Sequence, residues 1–516
     1  MEKRISKEKN LSYMPGMLQV LLFAVPYGAF IVLYTDYLAY WKVGAVISIV
    51  VAVLVVAIAL FNFGFGLLAA FFVLFTFPTY PRDILDIYSA LQDTHQIDFY
   101  SIKYMKVAGF SAAQWMFFSL FFISLLRLLL NGGRINSPAA ASLLKLLFFF
   151  ITAIFLGTAI SVMSGHDLYL REFISDLRFP ILFIFGIFIA WSYFSDAGDA
   201  TRAIRHVVTL LVLLLIVSGM KTIMFIIDDK MQGAFKLSFA SPIYVTFPFL
   251  LALIMTRRNM KISTPVFYLL FFMGALSSIP DGRGEMIVYF MVILLAFAMI
   301  WKKDRRKFAG FLLQVGFAAG IFAIVLSGLV VTNERLWNFI TYKASFFTGE
   351  MLTGELSHSP LARVIEFKNI IASDASSLIG LLLGRGAGGY FTFRRYALPF
   401  EIGVADYSLF ERTRGIFFHP HLPLNYWLLK GGALGMALYG YIFYLMFKAG
   451  YKSMTGFEAE DAPFKRTFLY FVILSSPVGL MESYWQPDYI FLYSIIMTLA
   501  FLCLEVGYAS EMPHSD

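Results

Sequence analysis

A chain of 516 residues that is 59% hydrophobic, with 57 phenylalanines and a mean hydropathy of +0.75, reads as a polytopic membrane protein and not as a soluble protein with a large core. Its formal net charge of +8 does not point to nucleic acid, because most charges lie in short loops between apolar runs, the positive-inside pattern. The single cysteine, Cys503, excludes a disulfide framework and a cysteine metal cluster.

In chain order, the basic segment MEKRISKEKN precedes an apolar run with no small-residue cleavage site, which predicts an uncleaved first span. A span needs roughly 20 apolar residues. Spans are expected from near Met17, Val43, Phe65, Val107, Pro138, Phe179, Val207, Pro242, Ser263, Glu285, Phe308, Leu422, Thr467 and Ile490, about fourteen in all. The run from Val43 to Phe77 is too long for one helix, and the glycines of FNFGFG, residues 61 to 66, suit a tight turn. With both termini cytoplasmic, Arg127, Arg202, Arg205, Arg257, KKDRRK at 302–307 and Arg466 fall inside. Asp83, Asp86, Asp167, Glu172, Asp176 and Asp228 then fall outside, and the alternation holds along the chain. The predicted fold is therefore an all-α polytopic membrane protein with one large extracytoplasmic loop containing short helices.

Two outer loops carry candidate residues. SSIPDGRGE, residues 277–285, places Arg283 between glycines at the outer face. Residues 332–418 are too long for a bare connector. Within them, Ser359-Pro360 predicts an N-cap followed by proline at the first helical position, then an amphipathic helix LARVIEFKNII that ASDASS ends. Next comes LLLGRGAGGYF, with glycines at 384, 386, 388 and 389. The segment FFHPHLPLNYWLLKGGALGMALYGY, 417–441, then brings His419 and His421 to the entrance of an apolar helix. Helical spacing puts His421, Asn425, Leu428, Gly432 and Gly435 on one face, and Gly431 with Gly435 forms a small-xxx-small step for close helix approach. Such a ring serves either chemistry or a simple interfacial cap. Lys221 lies roughly 22 Å from His206 at 1.5 Å per residue, toward the outer side, where a buried cation can line a cavity. Lys430 points to the face opposite His421, with a packing or snorkelling role.

Four pieces in order resemble the O-antigen ligase and polymerase superfamily of bacterial membrane glycosyltransferases. They are Arg283 in DGRGE, Arg363 in LARVIEF, the turn of Gly384, Gly386 and Gly388, and His421 followed by Gly432 and Gly435. The likeness covers roughly residues 263–447 and divides the chain into N-terminal spans (1–262), a core (263–447, with outer loop 332–418) and C-terminal spans (448–516). Gly282 stands where the family has serine and Leu422 where it often has a polar residue, so the acceptor stays open.

The resemblance implies a GT-C-like glycosyltransferase architecture in a bacterial cytoplasmic membrane, with the active site on the outer, periplasmic side. It implies a glycan on undecaprenyl diphosphate as donor and an inverting transfer without metal or cofactor. Its partners would be the lipid bilayer, a flippase that supplies the donor and a chain-length regulator, with no nucleic acid. Arg283 and Arg363 are expected to hold the diphosphate, since guanidinium stays charged and binds phosphate oxygens in pairs. The alternative for each is surface pairing, with Asp281 or Glu366. His421 is expected to orient or deprotonate the acceptor hydroxyl. Lys221 is expected in the donor cavity, and His419, Arg385 and Asn425 as helpers. Polymerase is favoured by the number of spans, with ligase as the alternative. A lipid-linked glycan transporter is the competing class, and it would show repeat symmetry that the sequence lacks.

Overall fold

The computed structural model describes residues 17–77, 101–130, 137–227, 243–303, 358–397 and 407–511, short breaks within those stretches aside, and a few positions between 309 and 327. The described chain is helical. Its helices are α1 (Met17–Asp36), α2 (Lys42–Phe61), α3 (Phe63–Thr76), α4 (Ala112–Leu130), α5 (Pro138–Met163), α6 (Leu170–Asp176), α7 (Arg178–Ala197), α8 (Ala200–Ile227) and α9 (Ile243–Thr256). They continue with α10 (Thr264–Ser277), α11 (Arg283–Lys303), α12 (His358–Asp374), α13 (Leu378–Leu383), α14 (Leu409–Arg414), α15 (Pro423–Thr455), α16 (Pro463–Glu482) and α17 (Pro487–Glu511). A two-stranded antiparallel ribbon, Lys106–Val107 with Phe110–Ser111, precedes α4, where the sequence predicts a span already from Val107.

Among the described residues, six helices are long and apolar enough to cross a membrane: Lys42–Phe61, Ala112–Leu130, Ala140–Met163, Leu170–Ser195, Arg202–Ile223 and Pro423–Met454. Shorter apolar helices start close to the positions predicted near Met17, Phe65, Pro242, Ser263, Glu285 and Ile490; near Thr467 there is the helix α16, which is not among the apolar ones, and the span expected from Phe308 falls largely outside the described residues. The helices are dressed for lipid. On α2 the buried stripe is Gly44, Ser48, Ala52, Val55 and Ala59, while Val46, Ile49, Val50 and Val53 are exposed. Small residues inward and large apolar residues outward is the arrangement expected where the solvent is hydrocarbon.

The predicted break between α2 and α3 is present, but its cause differs. Asn62 alone separates the helices in an extended conformation, and its side chain caps α3 by accepting from Phe65 N at 3.0 Å. Gly66 is needed for contact rather than for turning, because a Cβ there would collide with Ala59 of α2.

The larger apolar core runs from Ala24 on α1 to Cys503 on α17, and a smaller one gathers Ile370, Phe391, Tyr407, Phe417, Leu428 and Leu429. Helix α17 packs on α7, where Gly186 leaves room for Ser494, and on α4, where Phe117 and Phe491 stack at 4.0 Å. Trp427, fully buried on α15, meets Phe150 of α5 at 4.8 Å and Phe179 of α7 at 5.2 Å, edge to face. This aromatic knot fixes the N-terminal part of α15 against α5 and α7. Gly432 then breaks α15 with φ 61° and ψ −159°, a conformation essentially reserved for glycine. The predicted small-xxx-small step is therefore not used: nothing approaches Gly431, whereas a Cβ on Gly432 would strike Leu382.

Candidate functional site

Helix α12 buries Ala362, Ile365, Glu366, Asn369 and Ile370, the i, i+3, i+4, i+7, i+8 stripe of a helix lying on a core. The helix starts at His358, so Ser359 lies within its first turn and not at the predicted N-cap. Two members of the stripe are polar, and both are fully used. Asn369 donates to Tyr396 O at 2.8 Å and accepts from Tyr396 N at 3.0 Å. Glu366, with no solvent exposure, receives the His421 ring Nδ1 and the Tyr407 hydroxyl on Oε1, and the His421 backbone N–H on Oε2 at 3.1 Å. The Tyr407 hydroxyl also lies 3.3 Å from Nδ1. A carboxylate that holds Nδ1–H leaves the basic lone pair of the neutral ring on Nε2, and the side chain as a whole is 23% exposed.

His421 lies two residues ahead of α15, not on it, so the predicted face is not continuous. Asn425, in the first turn of α15, donates from Nδ2 to Arg363 O at 2.9 Å and ties α15 to α12. Arg363 is half-buried, and its Nε is buried without a hydrogen-bond partner. The expected alternative, Arg363 paired on the surface with Glu366, is overturned, because Glu366 is buried on His421 and Tyr407.

The glycine turn follows α13. Gly384, Gly386 and Gly388 all have positive φ, 65°, 74° and 76°. The turn is wedged between two helices. A Cβ on Gly386 would collide with Thr158 of α5, and one on Gly384 would lie 2.5 Å from Gly432 N of α15. Several of its amides are taken up by protein: Arg385 N by Leu429 O (2.7 Å), Ala387 N by Thr158 Oγ1 (2.8 Å) and Gly388 N by Asp176 Oδ2 (2.7 Å). Asp176 and Lys430 close the arrangement as a fully buried ion pair at 2.7 Å. Lys430 also donates to Gly389 O at 2.6 Å, and Asp176 Oδ1 accepts from the Tyr426 hydroxyl at 2.5 Å. Lys430 is thus neither packing filler nor snorkelling, and Asp176 is not a solvated loop charge, because each satisfies the other and the turn between them.

The remaining predicted residues are dispersed. Arg385 sits in the glycine turn, and its guanidinium donates to Tyr390 O and Ser373 O, each at 3.2 Å. His419 turns away from Glu366, to Glu172 (3.5 Å) and Glu411 (3.9 Å). Lys221 is not brought to this group. It is buried on α8 and donates to Thr76 O at 3.0 Å, where it caps the carbonyl end of α3. Arg283 opens α11, two residues before the predicted span, and its side chain lies outside the described ones. Sequence reasoning missed Tyr407, and it missed Glu366, Asp176 and Lys430 as partners.

No known protein family, curated protein or solved structure matches this chain.

Proposed function

We propose that the protein is a membrane glycosyltransferase that polymerises oligosaccharide repeat units carried on undecaprenyl diphosphate, at the outer face of a bacterial cytoplasmic membrane. The carrying observation is the buried Glu366 beneath His421, with Tyr407 on the same oxygen and Arg363 on the same helix. In this reading about fourteen spans in a GT-C-like arrangement hold both termini in the cytoplasm. His421 Nε2 takes the proton of an acceptor sugar hydroxyl, and Glu366 stabilises the imidazolium that forms. The hydroxyl oxygen bonds the anomeric carbon as the bond to the diphosphate breaks, so the configuration inverts. Arg363, whose buried Nε has no protein partner, and Arg283 take up the charge gathering on the leaving diphosphate.

The test is deletion of the gene in its host, with wild-type, His421→Ala, Glu366→Gln and Arg283→Ala copies returned. Loss of the glycan ladder, with single repeats still reaching their final carrier, is expected for the deletion and the His421 variant. Long glycan stranded on the lipid carrier would instead identify a ligase. A normal ladder from His421→Ala and Arg283→Ala together would remove the catalytic reading and bring a lipid-linked glycan transporter forward.

A further inference from the structure

The glycine turn lies below the ends of the helices that hold it. It touches three of the apolar spans, and each one gives its depth. Thr158, which takes the Ala387 amide, is five residues short of Met163, where the first span ends. Asp176, which takes the Gly388 amide, is six residues inside the span that starts at Leu170. Leu429, which takes the Arg385 amide, is six residues inside the span that starts at Pro423. At 1.5 Å per residue, all three put the turn roughly 8–9 Å below the span ends. Met163 marks a hydrocarbon boundary, because the exposed Lys145, nearer the other end of α5, lies roughly 27 Å away and the core of a bilayer is about 30 Å thick. Both flanks of the turn return to this one side. Before it, α12 is tied to the start of α15 through Arg363 O and Asn425; after it, Phe391 pairs with Phe417, ahead of α15.

Irregular backbone at such a depth survives only where protein satisfies it. The N–H groups of Gly384, Arg385, Ala387, Gly388 and Gly389 all donate to protein oxygens, and Lys430 donates to Gly389 O. The one charge among residues 378–389, Arg385, reaches back to the boundary. With His166 and Asp167, just past Met163, it lines a gap with room for about one water molecule. Partial burial, and then the Arg385 charge, lower the His166 pKa from its ordinary value against the opposing pull of Asp167. A cation that snorkels to the surface in this way is what a turn below it requires.

Helix α13, which leads into the turn, is pinned from two sides. A Cβ on Gly157 of α5 would strike Leu383 O, and one on Gly432 of α15 would strike Leu382. Its remaining side is open among the described residues: Leu378, Ile379 and Leu382 are 73%, 53% and 47% exposed. Exposed Phe155, Leu156 and Val162 of α5 adjoin the packing point at Gly157, so the lipid-facing surface of that span continues onto α13.

We infer that residues 378–389 form a re-entrant element, and that Leu378, Ile379 and Leu382 meet the acyl chains of the bilayer. Only the apolar spans enter here; glycan transfer does not, and an aqueous α13 would leave that reading untouched. Full-length protein is spin-labelled at one introduced cysteine, Ile379→Cys or Leu382→Cys, and placed in nanodiscs of phosphatidylethanolamine and phosphatidylglycerol. Phe155→Cys on α5 is the lipid reference, and Arg395→Cys, exposed beyond the turn, is the aqueous one. All four positions are exposed, so a label there displaces no core, and the buried Cys503 leaves unmodified protein as the blank. Electron paramagnetic resonance reads collisions with oxygen, which concentrates in hydrocarbon, and with a nickel chelate, which stays in water. The oxygen-to-nickel ratio at Ile379 and Leu382 is expected near that at Phe155 and severalfold above that at Arg395. A ratio like that at Arg395 would overturn the inference. Protection from both reagents with dipolar broadening would put a second copy of the chain on this face and overturn it too. Protection that appears only on adding undecaprenyl phosphate would give the face to a polyprenyl chain and refute the assignment to bilayer lipid.

Discussion

The Asp176–Lys430 pair makes a sharp energetic prediction. Lys430→Met keeps the length and the apolar body of the side chain and deletes the charge. Asp176 is then left ionised with no solvent exposure, still accepting from Gly388 N and the Tyr426 hydroxyl but without its counter-ion. Breaking a buried pair in this way costs about 3–5 kcal/mol. At about 2 °C per kcal/mol, the apparent melting temperature falls by roughly 6–10 °C. Neutralising both partners recovers much of this. In Asp176→Asn/Lys430→Met the amide oxygen still accepts from Gly388, and the Gly389 carbonyl loses its donor at a cost of about 1 kcal/mol. The assay is thermal melting in detergent, with hydrogen exchange over residues 384–390 as the local readout. The double variant should melt well above the Lys430→Met single. If Lys430→Met melts like wild type, or if the double is no better than the single, the pair does not hold the glycine turn and the reasoning fails.

Three further outcomes follow from the same geometry. Gly432→Ala places a side chain at φ 61° against Leu382 and should cost at least about 2 kcal/mol, whereas Gly431→Ala meets open space and should fall within about 0.5 kcal/mol of wild type; heated samples on size exclusion separate the two. His421→Ala should lower the rate of glycan transfer per folded molecule by about 10²–10⁴-fold, and Glu366→Gln should lose a large part of the same factor, measured in membranes supplied with lipid-linked repeat units and normalised to folded protein, because Glu366 is buried on the His421 ring; a fully active Glu366→Gln would separate the carboxylate from the chemistry. The folded-state pKa of His166 is depressed, so the unfolded chain takes up this proton first. Stability should hold steady above about pH 6.5 and decline as the pH falls through that value toward the folded pKa, and His166→Gln should flatten that part of the melting profile.

Much of the helical frame was legible because each span is a local property, an apolar run of sufficient length. The break between α2 and α3 was legible for the same reason, as a run too long for one helix, although the residue that makes it, Asn62, was not singled out. Glycine roles were less legible. Gly431 and Gly435 have the spacing of a packing motif, but Gly432 leaves the helix and redirects the approach to itself, a choice that depends on α13 lying beside it. Glu366 carried a readable signal, since a carboxylate four residues after Ala362 and four before Ile370 sits on the apolar stripe of α12, where an acid is costly unless paired. That stripe is evidence of burial in the sequence alone, and weighing Glu366 only as a surface partner for Arg363 passed over it. Asp176 and Lys430 differ in kind. Hydropathy placed one in a loop and the other in a span, and nothing local says that the end of α6 meets α15 at the glycine turn. A buried lysine does announce that an anion must exist, and the nearest in space is set by how α5, α6 and α15 stack around Trp427. The site residues on α12 and α15 are thus readable from periodicity and resemblance, while the pair that fixes their geometry is a product of tertiary packing.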